Sequence, residues 1–221
     1  MGHVRHFLTL LVCYIPLLVS AGSLPPQNSV TIVGFESAGS GCPTGSVLHD
    51  ISPDAQVITL IFSEYQLARE GTKHPYGAHK SCRMKIQFDV PPGWSYTLNQ
   101  LSVQGGVDLE PGLAAEVRLS YWTGEDRRPQ QLKPQRFAGP VVKDYTFVRQ
   151  FTDDVRWSSC DRHRQVGHEL VLDSTASIYP TCHSGRNALG VMTIDAMENV
   201  IVSGEKSKAI FQSNLRWRRC R

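Results

Sequence analysis

Apolar and polar residues alternate along several stretches of the chain. The clearest stretch is CRMKIQFDV at 82–90, where apolar residues occupy the even positions and polar or charged residues the odd ones. A period of two is typical of a β-strand with one buried face. VITLIF at 57–62 is a continuous run of β-branched and apolar residues, which predicts a strand buried on both faces.

Further segments carry strand patterns, at 29–35, 95–103, 114–122, 144–151, 168–178, 190–196 and 208–217. Polar segments with glycine and proline at 67–81 and 123–140 predict surface loops. A helical pattern is absent except for one weak candidate, QLARE at 66–70. Many short strands between Gly/Pro turns predict an all-β fold, a single-domain antiparallel β-sandwich.

The basic stretch LRWRRCR at 215–221 follows the same alternation. Leu215 and Trp217 share one face of the last predicted strand, and Arg216 and Arg218 share the other. We therefore predict that Trp217 lies in the core and that the arginines are solvated. A nucleic-acid surface needs a stacking aromatic on the arginine face, so we expect no nucleic-acid partner. The net charge of +3 is ordinary and does not indicate any class of binding partner.

The first 21 residues have the composition of a secretory signal peptide. A charged start precedes the mostly apolar run FLTLLVCYIPLLV, and small residues precede a cleavage site after Ala21. The apolar run is shorter than the roughly 20 residues that a membrane span needs. We therefore predict a signal peptide at 1–21, a secreted extracellular domain at 22–221, and no membrane span after cleavage.

Cysteine usage agrees with export. Removal of Cys13 with the signal leaves five cysteines: Cys42, Cys82, Cys160, Cys182 and Cys220. Disulfides are the default in an oxidising compartment, and an odd number leaves one thiol free or paired between chains. Spacing alone does not choose the pairing. The chain has no CxxC motif and no Cys/His spacing of a zinc site, so we expect no metal and no cofactor.

Several landmarks recur together: GSGCPTGS at 39–46, VITLIFSEY at 57–65, the segment from KSCRMKIQFDV to SYWTG at 80–124, WSSC at 157–160 and LRWRRC at 215–220. In these the chain resembles a family of small secreted proteins, mostly fungal with some bacterial members, known as a domain of unknown function. The resemblance implies that Cys42 pairs with Cys82 and Cys160 with Cys220. Cys182 is extra to that pattern and is left as the unpaired thiol. The resemblance implies no activity.

Residues that could support catalysis do not form a recognisable motif. Cys182 and His183 are adjacent, so they point opposite ways in an extended chain and make a poor nucleophile and base. The acidic pairs Asp108/Glu110 and Asp153/Asp154 lack any feature that ties them across a cleft. We therefore assign no catalytic residues and expect a protein that binds rather than an enzyme.

Aromatic residues provide the candidate ligand-binding site. Trp94 follows a PPG turn, and Tyr121 and Trp122 are adjacent, so one of the latter must face outward from a strand. Such rings can stack on sugars. The alternative is that Trp94 and Trp157 pack in the core beside the disulfides.

The predicted function is a non-catalytic binding module for a cell wall or another glycan surface. One alternative is a secreted effector or inhibitor that binds an extracellular protein, with 123–140 as the place to look for its contact surface. Another is a glycan hydrolase, which needs two carboxylates facing each other across a cleft.

Overall fold

Antiparallel strands build two sheets in the computed structural model of the protein. The structure describes residues 24–71, 73–74, 76–123, 128–151, 156–160, 165–181, 186–194 and 210–220. The predicted signal segment 1–21 and Cys182 lie outside these ranges. The described part of the chain contains no helix long and apolar enough to cross a membrane.

The strands are β1 Thr31–Ala38, β2 Val47–Ile51, β3 Val57–Phe62, β4 Gln66–Glu70, β5 Ala78–Val90, β6 Trp94–Leu109, β7 Leu113–Thr123, β8 Gln130–Gln131, β9 Gln135–Ala138, β10 Val141–Gln150, β11 Gln165–Pro180, β12 Leu189–Thr193 and β13 Ile210–Arg219. Sheet A has the order β1-β5-β11-β7-β8, and β9 also pairs with β7. Sheet B has the order β2-β3-β13-β6-β12-β4, and β10 also pairs with β6.

The prediction from the alternation at 82–90 is confirmed, because this segment lies in β5 with one face buried. Its apolar residues, from Cys82 to Val90, are buried, whereas Arg83 is exposed and the other polar residues are half-buried. Side chains of both sheets meet in one core. The ring of Phe88 on sheet A, for example, lies 5.3 Å from the ring of Tyr96 on sheet B. The predicted antiparallel β-sandwich is therefore confirmed.

The long strand β6 is the centre of sheet B. Its buried apolar residues fall on even positions up to Leu98 and on odd positions from Leu101, because the pairing with β13 shifts register at that point. Farther along, Tyr145 of β10 donates a hydrogen bond across β6 to the carbonyl oxygen of Thr193, with a distance of 2.7 Å. A Cβ at Gly105 would lie between these two groups, so glycine at this position leaves room for the hydrogen bond.

Two disulfides staple the sandwich, in the pairing that the resemblance implies. Cys42 and Cys82, with Cα atoms 5.2 Å apart, join the turn after β1 to β5. Cys160 and Cys220, with Cα atoms 5.6 Å apart, join the segment 156–160 to the end of β13.

Other local predictions were wrong. QLARE is the strand β4, not a helix, and it places Leu67 and Arg69 inward. The buried Arg69 donates hydrogen bonds to the carbonyl oxygens of Ala188 and Arg186 inside the fold. Residues 67–81 therefore include strand residues of β4 and β5 rather than one loop.

Segment 123–140 also differs from the expected loop, because β8 and β9 lie within it and both pair with β7. Strand β2 was not predicted. VITLIF forms β3 as predicted, but its second face is only half-buried.

Candidate functional site

The predicted ligand-binding aromatics are divided by burial. Trp94 is 3% exposed and Tyr121 is 0% exposed, so the structure contradicts their assignment as stacking platforms. Trp94 points into the end of the sandwich, where the guanidinium of Arg219 covers its ring at 4.3 Å. Tyr121 packs against Phe151 in the core, with the ring centres 4.7 Å apart. Trp122, the outward neighbour of Tyr121, stays half-exposed on the outer face of sheet A.

Trp122 lies within a group of polar side chains that three adjacent strands bring together. In the register of β5, β11 and β7, Lys85 is opposite Val171, and Val171 is opposite Trp122. We call Trp122, Arg83, Lys85, Glu169 and Asp173 the Trp122 face. Val171 lies between Lys85 and Trp122 and is only 3% exposed, so it forms an apolar floor to this face.

Ion pairs fix the charged groups of the Trp122 face. Arg83 donates from Nε and Nη2 to the two carboxylate oxygens of Asp173, at 2.7 and 2.8 Å. This two-point hydrogen bond raises the pKa of Arg83. Lys85 Nζ lies 3.0 Å from Glu169 Oε2, and that hydrogen bond raises the pKa of Lys85. The guanidinium of Arg83 lies 5.5 Å from the centre of the Trp122 ring.

A second polar cluster lies farther along the same face. Glu116 accepts hydrogen bonds from Arg118 and Arg136, one on each carboxylate oxygen. Burial alone would raise the pKa of Glu116, but the two guanidinium groups outweigh it and hold that pKa below its ordinary value. His79 Nδ1 and Ser177 Oγ are 2.9 Å apart nearby. Because both oxygens of Glu116 bond arginines, this carboxylate does not orient His79 as a nucleophile's base requires.

The other candidates from the sequence are not brought together. Asp108 is exposed on the outer face of sheet B, whereas Glu110 accepts a hydrogen bond from the backbone N–H of Leu189 at 2.7 Å. Within the described residues no three His, Cys, Asp or Glu side chains converge as metal ligands. Several candidates lie outside the described residues: Asp153, Asp154, Cys182 and His183.

A groove of about 350 Å³ opens beside the edge strands β1 and β2. Its walls mix apolar residues such as Val30 and Ile51 with Asn28 and His49. None of the predicted ligand-binding residues lines it.

The partners of Trp122 were missed in the sequence, although a signal for them exists. Arg83 and Lys85 occupy alternate positions on the polar face of β5, and Glu169 and Asp173 lie at positions of matching parity on β11. That parity places them on outer faces. The order in which the strands lie side by side, which brings the four residues to Trp122, is not readable from any one segment.

Relatives of the chain are found among both sequences and structures. An uncharacterized secreted protein of Arthroderma benhamiae is 27% identical over 201 residues, which make up 90% of this chain and 75% of that protein. The prediction of a secreted protein is thereby confirmed.

Among solved structures, a GH31 alpha-xylosidase from Xanthomonas citri has 6% identity and a TM-score of 0.23, covering 87% of this chain and 18% of its own. TmCBM61 in complex with beta-1,4-galactotriose has 8% identity and a TM-score of 0.18, covering 74% of this chain and 86% of its own. Such low scores carry no argument about this chain.

The framework cysteines, the strands around the Trp122 face and the terminal strand β13 all fall within one family match. That match runs over residues 28–220, and the chain therefore belongs to the family described as a domain of unknown function (DUF4360).

Proposed function

We propose that this secreted protein is a non-catalytic binding module whose Trp122 face contacts polysaccharide at a cell wall or another glycan surface. The observation that carries the proposal is the half-exposed Trp122 ring, set among paired charged side chains on the outer face of a sheet. A sheet face of this kind suits a ligand that is itself an extended surface.

The chemistry of the Trp122 face fits a sugar polymer. The C–H face of a sugar ring is apolar and packs against indole, while its hydroxyl groups need hydrogen-bond partners. Carboxylates accept such bonds, and guanidinium and ammonium groups donate them. Because Arg83 and Lys85 are already held by Asp173 and Glu169, little side-chain entropy is lost when the ligand binds. The Arg83 side chain is 64% exposed, so its remaining N–H groups can reach a sugar hydroxyl group.

The test is binding of the purified mature protein to insoluble chitin, β-glucan, cellulose and mannan. We expect saturable binding to at least one polymer, and a loss of about tenfold or more in Trp122→Ala, since a stacked aromatic contributes on this scale. Trp122→Phe should retain part of the affinity. Tyr76→Ala is the control, because Tyr76 is an aromatic residue that is 94% exposed and lies outside the Trp122 face.

Equal losses in Trp122→Ala and Tyr76→Ala would contradict the proposed site. Absence of binding to every polymer would contradict the proposed function and would favour the alternative of a protein partner. A thermal unfolding curve for each variant separates lost binding from lost folding.

A further inference from the structure

Within the described ranges, the arginines at the end of β13 have no carboxylate partner of the kind that cations have on sheet A. Arg216, Arg218 and Arg219 are all exposed. None of the three forms an ion pair with a carboxylate in the described part of the chain. On sheet A, by contrast, Arg83 and Lys85 are each paired with an acid. Among the residues that the structure describes, the positive charge at this end of sheet B therefore has no acidic partner.

Tryptophan rings hold two of these guanidinium groups in place. The guanidinium carbon of Arg218 lies 4.3 Å from the ring centre of Trp157, and that of Arg219 lies 4.3 Å from the ring centre of Trp94. Contact with an aromatic face stabilises the cation without occupying its N–H groups. The donors of both arginines stay available for an oxyanion, and the side chains are partly ordered before it binds.

The backbone of segment 156–158 positions Trp157 beside β6. Ser158 donates its N–H to the carbonyl oxygen of Tyr96 at 2.7 Å and accepts the Tyr96 N–H on Oγ at 3.0 Å. Ser95 Oγ donates to the Ser158 carbonyl at 2.8 Å, and Thr97 Oγ1 donates to the Arg156 carbonyl at 2.6 Å.

Short side chains on β6 complete this arrangement. Ser95 and Thr97 are 0% exposed, and Ser95 lies opposite Arg218 in the pairing of β6 with β13. A short residue at that position lets the Trp157 ring reach across β6 to Arg218. The Cys160–Cys220 disulfide then links the two segments that contribute the ring and the arginine.

We propose that Arg216 and Arg218, on the outer face of sheet B with Trp157 as support, form a binding surface for an anionic polysaccharide that carries carboxylate or sulfate groups. Arg219, on the opposite face at the end of the strand, adds positive charge beside this surface. Alternate residues on an extended strand are about 7 Å apart, so Arg216 and Arg218 can engage successive anionic groups of a polymer. Guanidinium matches either group with two parallel hydrogen bonds. This surface belongs to sheet B and does not depend on the Trp122 face.

The geometry favours a polysaccharide over a nucleic acid. Proteins that bind single strands stack bases on open aromatic rings, whereas Arg218 covers Trp157 here. Sequence-independent duplex binding relies on many phosphate contacts, more than three arginines supply. The secreted relative also places such a protein where extracellular polysaccharides are the polymers at hand.

The experiment measures the affinity of the mature protein for polygalacturonate and dextran sulfate, with dextran as the neutral polymer and a single-stranded oligonucleotide as the competing class. We expect binding to at least one anionic polysaccharide, none to dextran, and weakening as salt rises. The triple variant Arg216→Gln/Arg218→Gln/Arg219→Gln should bind at least 100-fold more weakly, at about tenfold for each charge-assisted contact.

The matched control is Lys73→Gln/Lys80→Gln/Lys143→Gln, which removes the same charge from other strands and turns and should keep affinity within about twofold. Trp157→Ala keeps the net charge and should still weaken binding about tenfold, with partial recovery in Trp157→Phe. Equal losses in the two triple variants would overturn the proposal, as would binding to neither anionic polymer. Tenfold tighter binding of the oligonucleotide than of either polysaccharide would overturn the proposed ligand class. Trp122→Ala should leave this binding unchanged. A failure of the anionic-polysaccharide proposal is therefore distinguishable from a failure of the proposed function.

Discussion

Glu116 is a carboxylate of sheet A whose charge depends on two arginines. Its pKa is lowered, so the folded protein holds a proton at this site less readily than the unfolded chain does. The stabilisation is therefore complete above the ordinary glutamate pKa of about 4.3, and it is lost as pH falls through the lower folded-state value.

Glu116→Gln should lower the free energy of unfolding at pH 7 by about 1 kcal/mol, because two charge-assisted hydrogen bonds weaken while their arginines stay 60% and 68% exposed. Below pH 4 the difference from the unsubstituted protein should shrink. Urea unfolding at pH 7, 5 and 3 measures it, with the exposed Glu64→Gln as control. A difference that stays constant over this range would show that the charge of Glu116 is not the cause.

Gly105 shows how one element of the fold depends on a missing side chain. In Gly105→Ala the new Cβ would lie against the carbonyl oxygen of Thr193 and only 2.7 Å from the Tyr145 hydroxyl oxygen. We expect a loss of about 2–4 kcal/mol in the free energy of unfolding, since backbone on one side cannot move aside easily.

The control for this prediction is Gly106→Ala, on the opposite face of β6, where the nearest atom is Thr193 Oγ1 at 3.3 Å. Its expected change is below about 1 kcal/mol, since alanine also favours a strand over glycine. Equal losses in the two variants, measured by thermal unfolding, would contradict the assigned faces.

Prediction of the elements from sequence succeeded where burial followed side-chain polarity. In β5 the buried residues are all apolar, so the period of two was visible. In β4 one inward residue is Arg69, whose charge conceals the same period. Its carbonyl partner at Ala188 is 119 residues away, so no local pattern could reveal that this arginine has hydrogen-bond partners inside the fold. The short strands β8 and β9 depend on pairing with β7 in the same way.

At the scale of the whole molecule, the two disulfides of the described residues differ in exposure, one being protected and the other accessible. Cys42 and Cys82 are 0% and 2% exposed, whereas Cys160 is exposed and Cys220 half-buried. Mild reduction without denaturant should open Cys160–Cys220 first, because thiol attack requires access to sulfur. Alkylation followed by mass spectrometry identifies the opened pair. Equal rates for both pairs would contradict this order.

The candidate sites also belong to the scale of the whole molecule, because each combines residues of different strands or segments. The sequence therefore revealed them only in part. The outward position of one residue of the Tyr121–Trp122 pair follows from strand geometry alone. The contact of Trp157 with Arg218 does not, because it needs the segment 156–158 to lie beside β6 and β13 to lie on the other edge. The alternation around Trp217 predicted only that this aromatic residue lies on the face opposite the arginines.

The unequal placement of the four tryptophans has a spectroscopic consequence. Trp94, Trp157 and Trp217 all lie on strands or segments next to the Cys160–Cys220 bridge, two of them beneath guanidinium groups. Trp122 stands apart from them on sheet A. The intrinsic emission of the protein therefore contains two contributions. The emission of the three tryptophans near the disulfide responds to changes at that end of the molecule. The emission of Trp122 is the signal that a Trp122→Phe variant lacks, and it reports on sheet A without any added label.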